Sequence, residues 1–442
     1  MAEPAKPTNY AQSAGSITAL AAQVRSGEIT PARLVQGYLD RIAEIDPAVE
    51  AWISVDGDGA LAVAEQLGAE AQDGNFRGPL HGIPIGIKDV IDVTGWPTRC
   101  NSVARRNAPP ATADAEIVAA LRAAGAIILG KCHTTEFAYF SPSPARNPHN
   151  INHTPGGSSS GPAAAVASGT VPGALGTQTI ASINRPAAYC GIGGFKPSTG
   201  VGTPYGVTPL APMFDTVGFY GATLADAVAI FEAVRPAYLA PPVIDDDAGL
   251  RVIVLQDPVF DLAEPAILAA RESTAAAMAA AGHEVVHLAS PVPLEDLSKR
   301  QMRAAEFELA RVHAGLLNYP EDEVSGKLRE AIARAGDCSQ DDYLADRTEM
   351  DRARAAFFAD IGPADAVLVP AAPQTAPEGL EWTGDPRFIA PWTALGGPVA
   401  SLPAGADEGD MPIGMMLAGR PGEDRGFARQ ASRLAEAMPE AD

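Results

Sequence analysis

The chain has 442 residues, 46% of them hydrophobic, and carries 54 acidic against 32 basic side chains for a formal net charge of −22. That length supplies apolar material for a large core. The charge argues against a nucleic-acid backbone as the main partner, because phosphate binding needs clustered Lys and Arg, and it disfavours an anionic membrane surface.

The opening residues MAEPAKPTNYAQSAG lack the apolar stretch of a secretory signal, so a cytoplasmic protein is expected. No run reaches the roughly 20 apolar residues of a membrane span. Ile17 to Val24 has the spacing of a short amphipathic helix. Thr30-Pro31 reads as an N-cap with proline at the first helical position. The helix it opens carries Leu34, Tyr38, Ile42 and Ile45 on one stripe. A third helix is expected over 58–72, completing a helical N-terminal layer over 13–73.

From Pro79 the pattern changes. GPLHGIPIGIKDVIDVTG sets short apolar runs between Gly and Pro, as buried strands with tight turns do. Residues 113–124 read as helix and 126–129 as buried strand, an alternation that predicts an α/β core. The stretch from Pro155 to Pro197 has room for a small helix, a short strand and tight turns. After Lys196 a Gly/Pro-rich run to Tyr220 reads as a loop over a site. Helices are expected over 223–234, 264–281 and 294–317, with two more before Ile361, and strands over 250–255 and 284–288. This α-rich middle, about 223–360, reads as an insertion or helical cap. Strands follow at 365–370 and 412–417, with 383–401 mostly loop and a closing helix over 424–437. The returning strands are expected to join the first sheet, making 1–442 a single domain with its core at about 79–200. The four cysteines, Cys100, Cys132, Cys190 and Cys338, have no paired spacing and read as mostly buried thiols.

Two serines in small-residue settings, Ser158 and Ser182, carry the chemistry of the Pro155–Pro197 stretch. A serine hydroxyl is a weak nucleophile until a base takes its proton. Its attack on a carbonyl then leaves an oxyanion that needs donors. Histidine is the common base, yet none of the seven has a fitting context: His81 is turn-like, His133, His149 and His153 lie in loop-like sequence, and His283, His287 and His313 lie in the α-rich middle. Lys88 differs, because it ends the strand-like run Ile83–Ile87. Burial would lower its pKa, and a neutral lysine can accept a proton from a serine. The plainer role for it is an ion pair, for instance with Asp89. The backbone N–H groups of Gln178–Ser182, set between strand and helix, can converge on an anion. Gly156 and Gly157 would let the backbone approach another segment closely. Gly125, Gly130 and Lys131 have phosphate-loop spacing, but Cys132 stands where Ser or Thr is needed, and the apolar interior cannot wrap a phosphate. Cys132, His133, His149 and His153 fit no compact zinc set, so no metal is expected.

These segments together resemble the amidase signature family. The match runs from about Pro79 to Pro197 through HGIPIGIKD, GKCHTTEFA, NPHN, GGSSSGPAAAVASG and ALGTQTIASINRPAAYCGIGGFKPS. Weaker similarity continues in TGDPRFIAPWTALGGPVASLPAG and PIGMMLAGRPGED. The resemblance implies an α/β fold with a mixed central β-sheet flanked by helices on both faces. It implies a Ser–cis-Ser–Lys triad with Ser182 as nucleophile, Ser158 as the bridging serine after a cis peptide, and Lys88 as base. The oxyanion donors would be the N–H groups of Thr179, Ile180, Ala181 and Ser182, and no cofactor is implied.

The chain departs from the commonest family pattern, Asp-x-Gly-Gly-Ser-x-Arg, because Gln178 and Asn184 replace the acid and the base and Arg185 comes one place later. A Gln178–Asn184 hydrogen bond is expected where an ion pair would sit. Ile180 and Ala181 replace two glycines, and a positive φ there would be strained. Gly157 and Gln178, with Phe137, Tyr139 and Phe140 of EFAYF, are the candidate substrate-binding residues, and core packing is the competing role for the aromatics. The expected activity is hydrolysis of a small-molecule carboxylic amide by a monomer or homodimer. Esters or carbamates are the alternative substrates of the same triad. A tRNA-dependent amidotransferase component, or an inactive binding homologue, are further alternatives.

Overall fold

Eleven strands form one sheet in the computed structural model, which describes residues 15–202, 204–239 and 249–438. In chain order they are β1 (Trp52–Val55), β2 (Pro84–Lys88), β3 (Ile127–Cys132), β4 (Gly173–Gln178), β5 (Gly193–Lys196) and β6 (Thr216–Gly221). They continue with β7 (Arg251–Gln256), β8 (Glu284–Ala289), β9 (Ala366–Pro370), β10 (Val399–Ala406) and β11 (Pro412–Ala418). Their spatial order is β1-β3-β2-β4-β6-β5-β10-β11-β9-β7-β8. The pairs β3–β2, β2–β4, β9–β7 and β7–β8 are parallel and the others antiparallel, so the sheet is mixed, as expected. Every residue of β2, β3 and β4 is buried, which explains their near-continuous apolar or small-residue sequence.

Thirteen α-helices surround the sheet among the described residues. The N-terminal layer is α1 (Ile17–Ser26), α2 (Pro31–Val49) and α3 (Gly57–Gln72). Thr30 caps α2 as expected, its hydroxyl accepting from Arg33 N at 3.2 Å. Then come α4 (Glu116–Ala123), α5 (Ser160–Ala167), α6 (Asn184–Tyr189) and α7 (Leu224–Val234). The middle region gives α8 (Pro265–Ala280), α9 (Leu294–His313), α10 (Gly326–Arg334) and α11 (Gln340–Asp360), and the chain closes with α12 (Ala390–Leu395) and α13 (Asp424–Glu436). Helices α5 and α6 are wholly buried against one face of the sheet, and α1 and α7 pack on the other.

Two expectations fail. Residues 216–221, read as loop, form a strand inside the sheet between β4 and β5. Residues 383–401, read as mostly loop, contain α12 and the start of β10. Among the described residues no helix is long and apolar enough to cross a membrane. Cys100, Cys132 and Cys190 are buried free thiols and Cys338 is half-buried.

Candidate active site

Lys88 ends β2 and is completely buried. Its Nζ donates to Ser158 Oγ at 2.8 Å and to Thr177 Oγ1 at 2.7 Å. Asp89, the ion-pair partner considered from sequence, turns elsewhere. It meets Lys131 Nζ at 2.8 Å and accepts from Arg99 N and Cys100 N at 3.0 and 3.1 Å. Burial therefore dominates at Lys88 and pushes its pKa down to about 7, against a weaker opposing pull from Asp215.

The Gly157–Ser158 peptide is cis. Its surroundings are tight. The Ser158 carbonyl accepts from Thr135 N at 3.1 Å, and the Gly157 carbonyl accepts from Arg185 Nη2 at 2.7 Å. A Cβ on Gly157 would lie 2.9 Å from Thr383 Cγ2 and 3.0 Å from Thr135 Cγ2, so the close approach expected of this glycine is present. Gly157 supports the site from behind and does not line the cleft.

Ser182 lies in the turn between β4 and α6 and lines a narrow cleft together with Ser158. The two hydroxyls share a cavity wall without a hydrogen bond between them. Around Ser182 the backbone is fixed through its carbonyls. Gln301 Nε2 on α9 donates to Thr179 O at 2.8 Å, Thr393 Oγ1 on α12 to Ile180 O at 2.9 Å, and Tyr220 OH on β6 to Ser182 O at 3.0 Å. The N–H groups of Thr179, Ile180, Ala181 and Ser182 have no acceptor among the described residues. Four consecutive donors beside a serine form an anion cradle of the kind an oxyanion needs. Neither Ile180 nor Ala181 has a positive φ, so replacing the family's glycines leaves the turn unstrained.

The expected Gln178–Asn184 side-chain bond is absent. Gln178 Oε1 instead accepts from the backbone N–H groups of Ile183 and Asn184 at 2.9 and 3.1 Å, and its Nε2 donates to Thr393 Oγ1 at 3.2 Å. Asn184 Nδ2 donates to Ser401 Oγ at 2.9 Å. A neutral amide suits this position because it accepts from two N–H groups and also donates to Thr393 Oγ1, whose own proton goes to Ile180 O; a carboxylate has no donor for that bond. Gln178 is completely buried and lies outside the cleft.

Of the aromatic candidates, Tyr139 and Phe140 line the cleft, and their rings meet edge to face at 4.8 Å. Tyr139 OH donates to Glu306 at 2.6 Å. Phe137 takes the core role, stacking obliquely on His313 at 4.9 Å. Six of the seven histidines are engaged elsewhere: His81, His149, His153 and His313 contact backbone carbonyls, His283 accepts from Leu250 N, and His287 pairs with Glu272, while the buried Nδ1 of His133 has no hydrogen-bond partner among the described residues. Among the described residues no three His, Cys, Asp or Glu side chains gather as a metal set would.

Sequence reasoning missed Thr177, Gln301, Thr393 and Arg185 as parts of this arrangement. Thr177 had a signal, since it immediately precedes Gln178 in the GTQT run. Gln301 and Thr393 had none, because their helices are over a hundred residues from the serines they support.

The chain is similar to known proteins over most of its length. The family model described as Amidase matches residues 33–427. A glutamyl-tRNA(Gln) amidotransferase subunit from Symbiobacterium thermophilum is 33% identical over 451 residues, covering 90% of this chain and 92% of that one. Its counterpart from Roseiflexus castenholzii is 39% identical over 284 residues, 60% of this chain and 58% of that one, so that match spans less than two thirds of the relative. The native peptide amidase from Stenotrophomonas maltophilia superposes with a TM-score of 0.81 at 27% identity, covering 96% of this chain and 97% of that one. With the family match running over most of its length and a solved amidase sharing its fold, the chain belongs to the Amidase family of amide-hydrolysing enzymes.

Proposed function

We propose that the protein hydrolyses the C–N bond of a carboxylic amide through an acyl-enzyme on Ser182. Neutral Lys88 takes the proton of Ser158 as Ser158 takes that of Ser182, and Ser182 Oγ adds to the carbonyl carbon. The oxyanion lies on the N–H groups of Thr179 to Ser182. The proton returns along the same route to the nitrogen, the C–N bond breaks, and the amine leaves. Water then adds to the ester on Ser182 and releases the carboxylic acid. Thr177 holds one side of the Lys88 amine, so that its lone pair faces Ser158. The observation that carries this reading is Lys88 itself, buried without a carboxylate and 2.8 Å from Ser158 Oγ in the wall of the Ser182 cleft.

The test is a panel of aryl amides, esters and carbamates, with mass spectrometry of the acyl-enzyme and labelling by a fluorophosphonate probe. Ser182→Ala is expected to abolish turnover and labelling while the protein stays folded. Turnover retained in that variant would refute the nucleophile assignment, and faster turnover of esters or carbamates would move the substrate class accordingly. An unlabelled wild-type protein would favour an inactive binding homologue.

A second reading is supported by the relatives named as amidotransferase subunits. The same triad would then release ammonia from glutamine for transfer by a partner. Glutaminase activity that appears only when partner subunits are added would favour it over free hydrolysis of small amides.

A further inference from the structure

The cleft shared by Ser158 and Ser182 is tight, with Tyr139, Phe140 and Pro386 closing one side. Its wall residues Ala138, Thr179 and Leu210 also line a second cavity of about 920 Å³. That volume lies near the top of the roughly 300–1,000 Å³ range of small-molecule sites. Its inner lining is apolar, formed by Val207, Phe214, Val217, Phe219 and Phe231. Of the three carboxylates that line it, Asp215 accepts from Thr179 Oγ1, Leu210 N and Ala211 N, Glu308 accepts from Met213 N and Tyr343 OH, and Glu116 is exposed to solvent.

We propose that this cavity receives an extended apolar group of the amide substrate, an aliphatic chain or aryl system that passes between Ala138, Thr179 and Leu210 while the scissile carbonyl lies at Ser182. The inference rests on the hydrolase reading above and adds the substrate class. Thr179 belongs both to the row of free N–H groups and to the cavity wall, so a carbonyl bound there has the cavity beside it. Ala138 supports the passage in another way. It and Phe137 hold positive φ angles of 61° and 47°, a conformation unfavourable for side chains, and the residue placed at the constriction is a small one. The cleft on the other side has no comparable space, so the substrate is asymmetric, bulky on one side of the carbonyl and small on the other.

The test uses two series of amides with a constant aryl or methyl group on one side. One series lengthens the acyl chain from acetyl to dodecanoyl and the other lengthens the amine, which shows which half enters the cavity. In one series kcat/KM is expected to rise about fourfold per methylene over the first several carbons, the fold-change for burying one CH₂. Val217→Trp and Val207→Trp each fill the cavity without touching the serines. Each is expected to lower kcat/KM on the longest members at least tenfold, while acetyl-amide turnover and the rate of fluorophosphonate labelling stay within twofold. A flat response in both series, from an enzyme that labels and cleaves short amides, overturns this inference and leaves the hydrolase reading standing. Tryptophan variants that spare the long members also overturn it. Absence of labelling and turnover in the wild type overturns the hydrolase reading and this inference with it.

Discussion

Burial removes water from the Lys88 ammonium, and no carboxylate lies close enough to replace that solvation. The proton is therefore held weakly, at a pKa of about 7 instead of the usual 10.5. A base works when it is neutral, so the acid limb of the rate should report this group. We expect kcat/KM to fall about tenfold per pH unit below pH 7 and to level off by about pH 8. A profile flat from pH 5.5 to 8.5 would remove Lys88 from the proton path. Lys88→Arg should lower the rate on the order of 10²–10⁴-fold, since arginine keeps its proton. Recovery of near-normal turnover in that variant would exclude a basic role. The burial of Lys88 was legible from the apolar run before it. That Asp89 would pair with Lys131 was not. Lys88 and Lys131 lie on neighbouring parallel strands, one position out of step, with Ile87 opposite Lys131 and Lys88 opposite Cys132. Which lysine faces Asp89 depends on the pleat and the register of β2 on β3, and linear order does not carry that information.

At the scale of elements, the turn from Thr179 to Ser182 has its carbonyls tied down and its N–H groups left open. Two of the ties come from helices far along the chain, Gln301 on α9 and Thr393 on α12. The α-rich middle region therefore supports the site directly and is more than an insertion. Gln301→Leu removes one tie and puts an apolar side chain of similar size in the buried position. We expect it to lower kcat about three- to tenfold with little change in KM, since a net hydrogen bond of this kind contributes about 0.5–1.5 kcal/mol. Steady-state kinetics beside a melting curve checks this, and an unchanged kcat in a folded variant would show that the turn holds its shape without α9. The elements missed from sequence have a physical reason. In β6 a Cβ on Gly218 would lie 2.7 Å from Ile183 Cγ1, and one on Gly221 would lie 2.4 Å from Asp226 Cβ. These glycines let helices and turns press onto both faces of the strand, and glycine in a strand interior often marks such an approach. Composition alone assigns the same residues to a loop. The helices with apolar stripes and caps, such as α2 and α7, lie within a few residues of their expected limits because their signals are local.

On the scale of the whole molecule, the pieces around Ser182 converge because β2 and β4 are adjacent and parallel. Lys88 and Thr177 therefore reach the same edge of the sheet. Nothing in that assembly requires a polyanion, and the charge opposes one. With 54 acidic and 32 basic side chains over the full sequence, the surface potential is negative at neutral pH. A transfer RNA binds protein by releasing condensed counterions to clustered Lys and Arg, an interaction that strengthens steeply as salt falls. For this chain alone we expect no retention of labelled tRNA in a filter-binding assay at about 150 mM salt, and only weak retention at about 50 mM. Micromolar retention at the higher salt would reveal a basic surface that net charge hides, and would shift the balance towards the amidotransferase reading. Retention that appears only with added partner proteins would assign the nucleic-acid contact to the partner and leave the catalytic proton path with this chain.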